Sequence, residues 1–339
     1  PVTTDVKTFG ALKSTAQARS PEEMTALVKS SMYSSGISLA GVACASVFDD
    51  IVSQVNNLLE KDTEEYFLVT NKPFQIRKGV WGYQAMPFNP QVEKTLKGLR
   101  KSSEYLSGAK SIIVAGMKIL DGVVENVGKG PGKKAGHYQY TVHETGPNEL
   151  TRLLHQTAKL IYAMGYKVKF MPFENTDSHA LTANRFAAIA AGLGELGWNG
   201  QVLTPQYGPR QLFAALITDA PLVADNLYKG PQLCHRCYRC TKVCPSHAIS
   251  EKQSVAISVN GKTFTWGKND RLRCDWACRY GFMKEAGPGY IGSQTDFPVP
   301  EKITPEKVCE AMKNSDRLQR PSYKTIVEKC FVECPAGKK

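Results

Sequence analysis

Cys234, Cys237, Cys240 and Cys244 stand at C-x2-C-x2-C-x3-C spacing, and Pro245 follows at once. No other feature constrains the chain as much. Three thiolates in one tight loop can ligate three irons of a [4Fe–4S] cube, and the fourth cysteine of such a run turns to a second cluster. A partner motif is therefore expected downstream, and Cys330-x3-Cys334-Pro335 is the tail end of the same pattern. The first cluster is assigned to Cys234, Cys237 and Cys240, closed by Cys334. The second takes Cys244 and Cys330, with two further ligands drawn from Cys274, Cys278 and Cys309. Cys274 and Cys278 lie about one helical turn apart and would share one side of a helix. That favours the pair and leaves Cys309 spare. A complete second run would need a cysteine where Val327 stands. A disulfide framework is the competing use of ten cysteines, but most of them have better employment as iron ligands. Two clusters in one small domain make a chain that moves electrons.

With 339 residues the chain is long enough for two or three domains with proper cores. No run approaches the roughly 18 apolar residues of a membrane span. No charged segment followed by an apolar core opens the sequence, and Pro1 is not Met. The expected location is cytoplasmic, or exported and peripheral after removal of a twin-arginine signal. Lys and Arg outnumber Asp and Glu 43 to 31, for a formal +12. Two oxidised clusters, on the order of −2 each, would bring the sum to about +8. A basic surface that docks an acidic electron donor is preferred here to nucleic-acid binding, although a basic face steers phosphates too. Cys44, within the apolar stretch 37–48, reads as a small core residue.

Three zones are legible. Residues 1–108 read as a mostly helical region, with a helix start at Ser20-Pro21-Glu22-Glu23 and helical spacing again from Pro90 to Leu106. Residues 109–228 alternate strand and helix: a buried strand at Ser111–Gly116, a helix over Glu149–Gly165, a strand at Val168–Phe173, a small-residue helix at Ala183–Ala191 and a strand at Leu212–Thr218. Residues 229–339 hold the cluster cysteines and a hairpin, 254–259 and 262–266, turned by Asn260-Gly261. Within the second zone runs Ala191-Gly-Leu-Gly-Glu-Leu-Gly-Trp-Asn-Gly200, then Thr204-Pro-Gln-Tyr-Gly-Pro-Arg210. Its glycines permit close approach of backbone to a bulky ligand, yet the spacing fits neither a P-loop nor a dinucleotide fingerprint.

These two stretches, followed by Thr218-Asp219-x-Pro221-Leu222 and then the cysteine run, resemble the reductive dehalogenases and their relatives the epoxyqueuosine reductases. The likeness extends from about residue 109 to the end. It implies an α/β (α+β), nitroreductase-like, corrinoid-binding core followed by a C-terminal bacterial-ferredoxin-like domain with two [4Fe–4S] clusters. It implies that Gly192, Gly194, Gly197, Asn199, Gly200, Thr204, Gly208 and Arg210 lie against a base-off, cobalamin-type corrinoid and its nucleotide tail. Glycines would admit the macrocycle, and an arginine with a threonine hydroxyl suits a phosphate. No Asp-x-His-x-x-Gly motif occurs, because Asp177-x-His179 is followed by Thr182, so a histidine lower ligand is not expected.

Epoxyqueuosine reductases place an acidic proton donor ahead of the glycine-rich stretch, where Asp177 falls; dehalogenases use a tyrosine, for which Tyr138 and Tyr140 are the candidates. His137, His143 and His179 read as surface or hydrogen-bonded core residues, Tyr162 as core, and Trp198 and Trp276 as packing residues. The function this implies is a corrinoid-dependent reductase. It would take electrons from a low-potential donor (a ferredoxin, a flavodoxin or a membrane-anchored donor) and pass them through both clusters to cobalt. The reaction would remove a halide or an oxygen function from a small organic substrate. The alternatives are tRNA modification of the epoxyqueuosine-reductase type and a corrinoid-free electron-transfer protein.

Overall fold

The computed structural model describes residues 19–58, 63–69, 72–79, 82–87, 99–127, 138, 141–171, 180–280, 297–313 and 328–337. Its centre is a four-stranded sheet in the order β1-β5-β9-β6, formed by β1 Leu39–Cys44, β5 Ser111–Lys118, β9 Gln211–Thr218 and β6 Val168–Phe170. All three pairings are antiparallel, and Ile113 lies opposite Val42 on one side and Leu216 on the other.

Helices cover both faces. α1 Pro21–Ser34 and α5 Gly146–Ala163 bring Met24, Val28, Met32, Leu150, Leu154 and Ile161 against Val42, Ile113, Ala115, Ala214 and Leu216. α2 Ala45–Leu58 and α6 Ala180–Ala190 bring Phe48, Ile51, Val55, Phe186 and Ala187 against Ala43, Ile112, Val114, Phe213, Ala215 and Ile217. Successive residues of β5 and β9 thus enter opposite cores, which is why these strands read as unbroken apolar runs. Each such aliphatic side chain contributes about 1.5–3 kcal/mol through burial.

Local chemistry sets the ends of these elements. Ser20 and Glu23 form a reciprocal capping box on α1, with Pro21 in its first turn. In the hairpin of β10 Ile249–Val259 and β11 Lys262–Asn269, Asn260 and Gly261 have φ of 47° and 78°, as a two-residue primed turn requires. Ile257, Val259, Phe264 and Trp266 of the hairpin join the core of the α2/α6 face. Gln54 on α2 clamps the backbone of Ser258 through both amide atoms, at 2.7 and 2.9 Å.

Within residues 1–108 the helices are joined by strands. β1 is part of the central sheet, and β2 Thr63–Val69, β3 Lys72–Gly79 and β4 Gly82–Pro87 form an antiparallel meander. Of the helix expected from Pro90 to Leu106, the described part is one short turn, α3 Ser102–Tyr105; the remainder of that stretch, 88–98, lies outside the described residues. Short apolar runs fit a strand or a buried helix equally well, and only pairing decides between them. The reading of Cys44 is corrected. It stands partly exposed at the junction of β1 and α2, its sulfur 3.1 Å from the Ser46 hydroxyl.

Candidate metal centre

The cysteine loop leads into α7 Arg239–Lys242 through backbone that ordinary residues avoid. Arg236 and Tyr238 have φ of 51° and 55°, and His247, after the fourth cysteine, has 49°. Two groups of thiols result. Burial pushes the Cys240 thiol up to about 12, and the nearness of Cys234, Cys334 and Cys237 adds to the shift. Burial likewise raises Cys330, followed by the effects of Cys274, Cys244, Glu328 and Cys240. Cys334 is raised by burial and drawn back by the Ala336 N–H and the Arg210 charge.

Thiols so reluctant to ionise become ligands when a cation supplies the compensating charge. Among the described residues no three His, Cys, Asp or Glu side chains are arranged around a single metal ion. In a cube each iron takes its own thiolate, so the sulfurs are spread wider than around one ion, and the chemistry of this donor set suits that arrangement. Trp198, Cys244, Ala248 and Ile249 form an apolar cluster with Cys234, Tyr238, Cys240, Cys274 and Cys330 packed against it. Cys274 lies on α8 Arg271–Tyr280, alongside β4. Cys278 shares that helix and Cys309 lies on α9 Pro305–Lys313, but the side chains of both are outside the described residues.

The glycine-rich segment holds these loops in place. The Glu195 carboxylate accepts from the N–H groups of Leu233 and Cys234, at 2.6 and 2.9 Å. The Trp198 N–H donates to the Cys234 sulfur at 3.3 Å, while its indole N–H reaches the Ser250 carbonyl at 2.9 Å. Asn199 donates to the Cys330 carbonyl at 2.8 Å. Arg210, only 5 % exposed, donates to the carbonyls of Cys334 and Ala336, at 2.5 and 2.8 Å. Burial lowers the affinity of its guanidinium for its proton, against the opposing pull of Cys334, Asp121 and Glu125. The Thr204 hydroxyl accepts from the Tyr207 N–H and donates to Gln211.

The glycines serve the same end. Gly192, at φ 68°, stops α6 in a Schellman turn: its N–H bonds to the Ile189 carbonyl and that of Leu193 to the Ala188 carbonyl. A Cβ on Gly208 would lie 1.9 Å from the Ala336 carbonyl oxygen. A Cβ on Gly194 would lie 1.9 Å from the Leu203 carbonyl oxygen, one on Gly197 would meet the Asn199 Oδ1 at 2.8 Å and the Leu203 side chain at 3.1 Å, and Gly200 faces the Trp266 ring in ordinary contact. The segment is a bracket for the cysteine loops. Asn199, Gly208 and Arg210 touch the cysteine tail directly, while Gly192, Gly194, Gly197, Gly200 and Thr204 pack against Asn226, Leu203, Trp266, Tyr207 and Gln211.

Tyr138 is buried among Ile119, Val124, Val142, Phe331 and Val332, edge-on to Phe331 with ring centroids 6.1 Å apart. Phe331 follows Cys330 on α10 Lys329–Val332, so Tyr138 underpins the helix that carries a cluster cysteine. Asp177, Tyr140, His137 and His179 lie outside the described residues, as does the side chain of His143. Sequence reading missed Glu195 and the Trp198 N–H as supports of the cysteine loop; nothing in the local pattern signals either contact.

Residues 227–250 match the model of the 4Fe-4S binding domain. The tetrachloroethene reductive dehalogenase of Sulfurospirillum multivorans is 32 % identical over 111 residues, covering 31 % of this chain and 21 % of that protein. The epoxyqueuosine reductase of Synechococcus sp. (strain RCC307) is 43 % identical over 64 residues, 19 % of each chain. The matched stretches of the chain are thus similar to reductases of both kinds. It spans about a fifth of the length of either curated relative. Among solved structures, a catabolic reductive dehalogenase in complex with 3-bromo-4-hydroxybenzoic acid matches with TM-score 0.52 and 15 % identity. That match covers 95 % of this chain and 33 % of that one, a likeness of the mixed α/β fold. Among the described residues no helix is long and apolar enough to cross a membrane.

Proposed function

We propose that the chain is an oxidoreductase that conducts electrons through two [4Fe–4S] clusters to the reductive removal of a halide or an oxygen function from a small organic substrate. One observation carries the reading. Cys240 is within electrostatic reach of Cys234, Cys237 and Cys334, and Cys330 within reach of Cys274, Cys244 and, more weakly, Cys240. We assign Cys234, Cys237, Cys240 and Cys334 to one cluster, and Cys244, Cys274 and Cys330 with Cys278 to the other. When bound, each cluster supplies a reversible one-electron store. The chain's work is to hold the thiolates, to keep water from the apolar seam around Cys244 and Trp198, and to offer sulfur N–H donors such as that of Trp198. Asp177 is our candidate for the proton the cleavage consumes, with Tyr140 second; Tyr138 we assign to packing beneath α10. The proposal includes a nitroreductase-like core, with which a central antiparallel sheet covered by helices on both faces is compatible.

A specific observation favours a second reading, a corrinoid-free electron carrier: three of the eight residues expected to cradle a corrinoid, Asn199, Gly208 and Arg210, are engaged by the cysteine tail. Metal analysis of anaerobically purified protein, supplied with cobalamin, separates the two. About eight irons with about one cobalt per chain supports the corrinoid-dependent reductase. About eight irons without cobalt supports the carrier, and fewer than about four irons sinks both.

A further inference from the structure

The cysteine loop presents one sulfur to solvent, and the segment that carries it is basic. Cys237 is exposed, whereas Cys234, Cys240, Cys274, Cys330 and Cys334 are partly buried and Cys244 is buried. Lys229, Arg236, Arg239 and Lys242, with His235 and His247, are all exposed in the segment 229–247 that carries it. No acidic residue occurs between Asp225 and Glu251. Among the described residues three carboxylates approach the loop: Glu195 turns inward to the N–H groups of Leu233 and Cys234, Glu333 pairs with Arg239 at 3.1 Å, and Glu251 accepts from the Thr241 hydroxyl at 3.4 Å. Arg236 is not a loose surface cation. Its guanidinium lies 5.5 Å from the centre of the Trp198 ring, and its backbone is held at φ 51°. Tyr238 meets the same ring edge-on at 5.2 Å.

We infer that this face docks an acidic, low-potential electron-carrier protein, and that electrons enter beside Cys237. The inference rests on the cluster assignment above. Tunnelling requires the donor's redox centre to approach the acceptor closely, and Cys237 is where the described surface comes nearest to the first group of thiols. A four-thiolate cluster carries on the order of −2 when oxidised and would repel an acidic carrier. Lys229, Arg236 and Lys242, with no carboxylate in the sequence between Asp225 and Glu251, offset that field locally. A small polar contact that forms and breaks quickly is the usual form of electron-transfer encounters, and charge at its rim acts chiefly on the association rate. A nucleic acid seated on the same cations would cover the point of entry, so the acidic carrier is the occupant the arrangement favours.

The test uses full-length protein with both clusters loaded. Iron content and bleaching by dithionite are recorded first for every variant; a chain that binds no iron overturns the cluster assignment before any donor is added. The probe is a reduced acidic bacterial ferredoxin, mixed rapidly with wild type, with Arg236→Glu/Lys242→Glu, and with Lys229→Glu/Lys242→Glu, which leaves Arg236 and its contact with Trp198 intact. Lys159→Glu, on α5, controls for net charge. Both double variants are expected to slow cluster reduction at low salt by about tenfold or more, with the gap closing as salt rises. Binding of oxidised ferredoxin, followed by interferometry, should weaken in parallel. Equal rates and affinities for wild type and both double variants overturn the proposal. So does an equal loss in Lys159→Glu, or an unchanged ferredoxin rate with lost binding of tRNA, which would make the patch a nucleic-acid surface.

Discussion

Arg210 joins the core to the cysteine tail more tightly than any other single side chain described. It is nearly sealed from solvent, and its donors satisfy the carbonyls of Cys334 and Ala336. Removing it leaves two carbonyls desolvated, and hydrogen bonds to charged groups contribute roughly 1.5–3 kcal/mol each. Arg210→Ala should therefore lower the urea midpoint by the equivalent of about 3 kcal/mol and release iron from the first cluster. Arg210→Lys, which keeps the charge but cannot span both carbonyls, should fall between. A variant with full iron and an unchanged midpoint would show that the contacts are incidental. The cysteines permit a sharper contrast. Cys240→Ser should reduce the iron content from about eight per chain to about four. Cys44→Ser should leave it unchanged, because that thiol is bonded to Ser46, outside both groups. Iron assay of the purified variants decides it.

Turns that look alike in sequence differ in what stands beside them. Gly208 and Gly261 both have positive φ, 56° and 78°. A Cβ on Gly261 would meet nothing within 4 Å, whereas one on Gly208 would collide with the Ala336 carbonyl at 1.9 Å. Gly261→Ala should thus cost only the backbone term, about 1 kcal/mol. Gly208→Ala should cost roughly 3 kcal/mol and loosen the C-terminal segment. Paired denaturation curves, with protease sensitivity near residue 337, would distinguish the two. Equal costs would mean that the tail is not seated against Gly208. At the other end of the core, Ser20→Ala removes a capping box and should cost about 1 kcal/mol of stability without affecting iron binding.

At the scale of the whole molecule, the cysteine segments and the core are one mechanical unit. The cysteine tail 328–337 is tied to the core through Asn199, Arg210 and the apolar contacts of Phe331 and Val332. The hairpin enters the core of the α2/α6 face directly. Stripping the iron should consequently lower the thermal midpoint of the entire chain and raise amide exchange most strongly in 328–337. If exchange rises only within the cysteine loop, the tail is held by the core alone. The sequence by itself determined the cluster chemistry, because three ligands fall within one loop and their spacing is local. It determined the helix start at Ser20 and the Asn260-Gly261 turn for the same reason, since each is satisfied by neighbours in the chain. It also determined that β5 and β9 are buried strands. Only the tertiary structure decided that the apolar run at 39–44 is a strand of the central sheet, for such a run has no partner until β5 is placed beside it. Only the tertiary structure decided what the glycine-rich segment faces. A glycine records that something stands close, without recording whether it is a cofactor or, as with the carbonyl of Ala336, the chain itself.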